Sequence, residues 1–282
     1  MSAVKEPCHF ASEFRPENFS REYRKIVVSA AGPGMRRGDP QSEKRFSGLA
    51  ASWQDYLGLF DAVTDEIAIG EASVCYLWSP TAARNIFARI PGARIIAVLR
   101  HPADRAWSQY QHCVANGYVR RTFREQIHAC IKSREAQFSP THPFLEFGMY
   151  SRQIETYLDL FPRENVRVYF YQDGLAPVVS DIFRFLNVDP AFKADLSRRH
   201  LDAATFETGT ALLRVLRQYN LWQLCRRLAP APVRPLFRKL AFRKRAVQFM
   251  NPEDRRFLCE YYKEDVLRLA SLVDRDLASW LV

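Results

Sequence analysis

Arg94–Tyr110 reads RIIAVLRHPADRAWSQY, and this stretch decides the fold. Arg94–Arg100 is a continuous β-branched run between two arginines, the pattern of a strand buried on both faces of a sheet. Pro102 follows where a helix accepts proline, in its first turn, because the missing N–H would be unpaired there anyway. Helical spacing then continues to Asn116. Ligands of open α/β sheets bind beyond the carboxyl ends of strands, so Arg100 stands where an anion would be held. Ser108 falls about two turns along the helix. An arginine fork and a serine hydroxyl suit one phosphate group. A salt-bridged edge arginine and a solvated serine fit the same spacing.

Working outward, Glu66-Ile-Ala-Ile-Gly70 and Asn165–Tyr171 read as further buried strands, while Pro80–Ile90 and Gly148–Phe161 read as helices, the latter closed by Pro162. Strands alternating with helices predict right-handed βαβ units and a mainly parallel sheet covered on both faces, an α/β fold. Residues 29–48, with Gly32-Pro33-Gly34 and basic residues from Arg36 to Arg45, read as a loop. Residues 203–282 read as helices interrupted by Pro230, Pro232 and Pro235, with a basic run from Arg234 to Arg245. The expected organisation is one domain over 1–282, an α/β core to residue 202 and a helical cap beyond it.

A chain of 282 residues, 48% hydrophobic and 13% aromatic, buries a core large enough to exclude disorder as its default state. No stretch reaches the roughly 18 uninterrupted apolar residues of a membrane helix, and the first residues have no signal-peptide core, so the expected location is cytoplasmic. The six cysteines form no CxxC pair and no zinc-ligand spacing, which predicts reduced thiols and no structural metal. The formal charge of +10 predicts an anionic partner without choosing among nucleotide, acidic glycan, nucleic acid and anionic lipid.

Leu99, Arg100, Pro102, Arg105, Ser108 and Tyr110 match an LR-x-P-x-x-R-x-x-S-x-Y pattern. The segment thereby resembles the 3′-phosphate motif of sulfotransferases that use 3′-phosphoadenosine 5′-phosphosulfate (PAPS). The resemblance implies a P-loop-NTPase-like parallel sheet, with Arg100 and Ser108 on the 3′-phosphate and Arg105 supporting the fold. Further blocks follow as in the bacterial relatives of heparan-sulfate sulfotransferases: Trp53–Phe60, Gly70-Glu-Ala-Ser73 with Tyr76, Gly148-Met-Tyr150, Phe161-Pro162, Phe185–Asp189 and Leu277–Leu281. Together they span nearly the whole chain.

Val4-Lys-Glu-Pro-Cys-His-Phe10 resembles the K-E-P-H-F-F element of the glycosaminoglycan branch. By that resemblance Glu6 is the general base that takes the acceptor's proton, and Lys5 helps to shape the pocket. Cys8 stands in place of the usual histidine and His9 in place of the first phenylalanine, so neither receives a role. Ala72 and Val74 depart from the family's lysine and proline, which puts acceptor contacts carried over from it in doubt. The family's opening strand and P-K-x-G-T-T loop, which cradles the 5′-phosphosulfate, has no counterpart in the sequence. The expectation is a sheet without its first central strand and a Met1 that is internal to a longer reading frame.

The function implied is sulfuryl transfer from PAPS, as co-substrate, to a hydroxyl or amine of a carbohydrate or small-molecule acceptor, with no metal required. Two other readings are a catalytically inactive, truncated sulfotransferase and a basic protein that binds polyanions or nucleic acid. The second predicts binding that weakens steeply with salt and ignores Arg100.

Overall fold

The computed structural model describes residues 2–21, 23–24, 45–46, 50, 52–133, 137–139, 141–196, 207–209, 216, 221, 225, 230, 242–244 and 248–282. Its strands are β1 (Val4–Lys5), β2 (Arg45–Phe46), β3 (Ile95–Leu99), β4 (Val166–Phe170), β5 (Glu207–Gly209) and β6 (Phe242–Lys244). The helices used below are α1 (Trp53–Gly58), α2 (Cys75–Trp78), α3 (Ala82–Arg89), α4 (Pro102–Ala115), α5 (Phe123–Lys132), α6 (Tyr150–Leu160), α7 (Leu175–Phe185) and α8 (Pro252–Val273).

The stretch that decides the fold forms β3 and α4. β3 runs parallel to β4, with Ile95 opposite Val166 and Leu99 opposite Phe170, and α4, α5 and α6 lie between them in the chain. His101 caps α4, its ring nitrogen accepting from Ala103 N at 3.2 Å. Burial lowers the pKa of His101, which keeps the ring neutral and able to accept. Ala103, Ala106, Tyr110 and Cys113 then recur at helical spacing as the buried stripe of α4. They join Leu99, Ile154, Tyr262 and Trp280 in one core cluster.

A second cluster joins Val4 of β1, Tyr56, Ala83, Ile86, Tyr157 and Val166 of β4. Through it α3 and α6 hold the β1–β2 pair, also parallel, beside the β3–β4 pair. No described strand joins the two pairs by hydrogen bonds.

Glu66–Gly70, expected as a strand, is not one. Its neighbourhood gains backbone bonds from the N-terminal segment at Gly70 O and Ala72 O, 2.9 and 3.2 Å, but no ladder of its own. Ile67 and Ile69 are 77% and 56% exposed, as is half of Val98 on β3 at 55%. A short apolar run becomes a strand only where neighbours pair with it, and this run lacks them among the described residues. The C-terminal part also departs from an all-helical reading. α8 is helical, opened by Asn251 as cap and Pro252 in its first turn, but β5 and β6 form an antiparallel pair. Beyond β2, the loop expected over 29–48 lies outside the described residues, as does the basic run from Arg234 up to β6.

No helix among the described residues is long and apolar enough to cross a membrane. None of the six cysteines is in a disulfide, and Cys8, Cys75, Cys113 and Cys259 are buried.

Gly148, just before α6, is required by packing. A Cβ there would stand 2.9 Å from Cζ and the hydroxyl of Tyr262, a fully buried ring whose hydroxyl donates to Leu145 O at 2.9 Å. Such a ring has no room to give, and overpacking of this kind costs about 1–3 kcal/mol. Gly148→Ala is therefore expected to lower the urea midpoint without changing the slope; an unchanged midpoint would contradict the contact.

Candidate functional site

Arg100 follows β3 directly, so the paired strand fixes its backbone while leaving its side chain exposed. Its carbonyl accepts from the Tyr150 hydroxyl at 3.0 Å, which ties the strand end to α6. Burial pushes that phenol up to about 12, so Tyr150 stays a donor at any working pH. The Arg100 guanidinium lies over the Tyr171 ring, 5.6 Å from its centroid, and no described carboxylate pairs with it. Ser108 is half-buried on α4, and its hydroxyl has no partner among the described residues. One strand–helix unit thus presents a cation with no carboxylate partner and a hydroxyl with no hydrogen-bond partner among the described residues.

Arg105 differs. It donates to Gln109 Oε1 at 2.6 Å and to Phe144 O at 2.5 Å and lies over the Phe144 ring, which makes it part of the scaffold, as the resemblance implied.

Glu6 follows β1, so it belongs to the other strand pair. Its φ is +57° and that of Cys8 is +50°, left-handed conformations costing roughly 1–3 kcal/mol each in residues other than glycine. The turn persists because its neighbours over-determine it. Glu6 N donates to Ala72 O at 3.2 Å, Cys8 N to Ser73 Oγ at 3.1 Å, and Ala50 N to Pro7 O at 3.3 Å. Ser73 Oγ in turn donates to Glu71 Oε2 at 2.9 Å, and Phe10 N donates to the Tyr76 hydroxyl at 3.3 Å.

This turn gathers two half-buried carboxyls. Burial raises the pKa of Glu6, and the Lys5 charge beside it pulls in the opposite direction. Burial also raises Glu71, hydrogen bonds with Tyr76 and Ser73 oppose this, and the Glu6 charge adds to it. Both environments thus disfavour the ionised carboxylate, chiefly through burial.

In the sequence Glu71, Ser73 and Tyr76 stand out only as a block, with no part in the site. The signal available was a glutamate two residues before a serine, ahead of a short helix, and it shows no partner by itself. Tyr171 was read only as the end of a strand. Its place over Arg100 follows from the β3–β4 register, since each residue follows directly on its strand end.

The sulfotransferase domain family matches residues 88–268, which hold β3, α4, β4 and most of α8. Bifunctional heparan sulfate N-deacetylase/N-sulfotransferase 2 of Bos taurus is 29% identical over 217 residues, 75% of this chain and 23% of that protein. Its counterpart 1 of Xenopus laevis is 27% identical over 217 residues with the same coverages. The chain spans about a quarter of the length of these curated relatives. The crystal structure of a sulfotransferase from Alicyclobacillus acidocaldarius superposes with a TM-score of 0.65 at 26% identity, covering 99% of this chain and 87% of that one. By the family match over most of its length, the chain belongs to the sulfotransferase family, the enzymes of sulfuryl transfer.

Proposed function

We propose that the chain moves a sulfuryl group from PAPS to a hydroxyl or amine of a carbohydrate or small-molecule acceptor. In this reading Arg100 and Ser108 hold the 3′-phosphate and Glu6 is the general base. The observation that carries it is Arg100, fixed at the carboxyl end of β3 with no described carboxylate on its guanidinium and Ser108 on the adjoining helix. A guanidinium fork and a hydroxyl that no described residue hydrogen-bonds fit a phosphate, whereas a structural arginine would be paired, as Arg105 is.

PAPS supplies an activated sulfur whose leaving group is adenosine 3′,5′-bisphosphate. Glu6 takes the acceptor's proton as the acceptor oxygen or nitrogen bonds to sulfur, a task served by a carboxylate whose pKa is raised toward neutrality. The remainder of the catalysis is positioning and charge stabilisation. A carbohydrate amine is the first acceptor to test because the curated relatives are named for N-sulfation of heparan sulfate.

The test is incubation of the chain with 35S-labelled PAPS and N-desulfated heparan sulfate, with a phenol and a simple amine in parallel. Label is expected on the glycan. Label on none of them, while a family member run alongside transfers it, would overturn the reading.

A further inference from the structure

The Glu6–Cys8 turn is strained at both ends, and one side chain links it to the segment before α2. We propose that Ser73 and Glu71 are positioning residues for Glu6, with Ser73 Oγ, oriented by Glu71, fixing the turn that carries the candidate base. The proposal rests on the reading of Glu6 given above.

The direction of each hydrogen bond supports it. The Ser73 oxygen accepts from Cys8 N at 3.1 Å, so its own proton must point elsewhere, and Glu71 Oε2 receives it at 2.9 Å. Glu71 is thus the group that turns Ser73 into an acceptor for the turn. Glu6 N, bound to Ala72 O at 3.2 Å, adds a second tie to the same segment. Two left-handed residues around Pro7 would relax toward ordinary backbone without these ties. Relaxation would swing the carboxyl away from its half-buried place and let water reach it.

The titratable groups facing Glu6 are Lys5, Tyr23, Glu71 and Cys75; those facing Glu71 also include Tyr56, Tyr76 and Tyr157. The phenols and the Cys75 thiol are all pushed up, chiefly by burial and for Cys75 first by its hydrogen bond with Cys8, and stay neutral. Lys5 and Glu71 are therefore the only charged neighbours of Glu6 among these, and a change in the Glu6 titration reports its own hydration and theirs.

The experiment follows the Glu6 carboxyl by 13C NMR across pH in the whole chain, with Glu6→Gln identifying its resonance. In Ser73→Ala the titration is expected to fall toward that of an exposed glutamate, and in Ser73→Thr, which keeps the hydroxyl, to return. Glu71→Gln still accepts from Ser73 and should leave Glu6 above the ordinary range. Glu71→Ala should lower it, and serves if Ser73→Ala does not fold. Turnover of Ser73→Ala should drop on the order of tenfold with bisphosphate affinity unchanged. A Glu6 titration that neither alanine variant moves overturns the proposal. Full turnover in Glu6→Gln would instead remove the base assignment while a shifted titration leaves the positioning network standing, so the two failures are distinct.

Discussion

Arg100→Ala is expected to weaken binding of adenosine 3′,5′-bisphosphate by about 2–3 kcal/mol, roughly 30- to 150-fold, because a phosphate loses a charge-assisted, two-pronged donor. The loss is confined to one end of the ligand. With adenosine 5′-phosphate as ligand, wild type and variant should bind alike, since the group that Arg100 meets is absent. Ser108→Ala removes one neutral donor and should cost only about 0.5–1.5 kcal/mol. Arg100 forms no ion pair with a described residue, so its removal strands no buried carboxylate and folding should be spared. Calorimetric titration of both variants with both nucleotides checks this. An Arg100→Ala variant that binds the bisphosphate as wild type does would remove Arg100 from the site.

Glu6→Gln is expected to lower turnover on the order of a hundredfold while leaving bisphosphate affinity within about twofold, the signature of a lost general base. The wild-type rate should rise with pH as Glu6 ionises. Because burial raises its pKa, that rise should come above the ordinary glutamate range, and it should vanish in the variant. The same shift bears on stability. Folding favours the protonated forms of Glu6 and Glu71, so their contribution is fully present below the unfolded pKa and is lost as pH climbs through the raised folded values. Glu71→Gln should accordingly flatten the decline in stability over that window. Unchanged turnover in Glu6→Gln would move the base elsewhere, with His9 next to be tested.

The strand–helix unit of β3 and α4 was legible in the sequence because its signals are local. A run of β-branched residues, Pro102 in the first turn and apolar residues spaced three and four apart each specify the same answer. β4 and α6 were legible for the same reasons, whereas the spacing of Arg100 and Ser108 fitted a salt-bridged edge arginine and a solvated serine equally, and only the family resemblance singled the pair out. Glu66–Gly70 carried an equally apolar run, but a strand is completed by what pairs with it, and sequence pattern does not report partners. The β5–β6 pair joins segments more than thirty residues apart in the chain, too far for the short connection by which sequence announces a hairpin. The carboxyl pair at Glu6 and Glu71 was hidden for a related reason, since sixty-odd residues separate the K-E-P and G-E-A-S blocks and only packing brings them together.

On the proposed function, the carboxyl end of β3 holds the 3′-phosphate of a sulfuryl donor. Calorimetric titration of the wild-type chain with adenosine 3′,5′-bisphosphate and with adenosine 5′-phosphate, at low and at physiological salt, tests it without knowledge of the acceptor. Saturable binding of the bisphosphate, at least tenfold tighter than the monophosphate at both salt concentrations, is the predicted result. Equal affinity for the two nucleotides, or binding that disappears at physiological salt, would contradict it and return the chain to the class of basic polyanion binders.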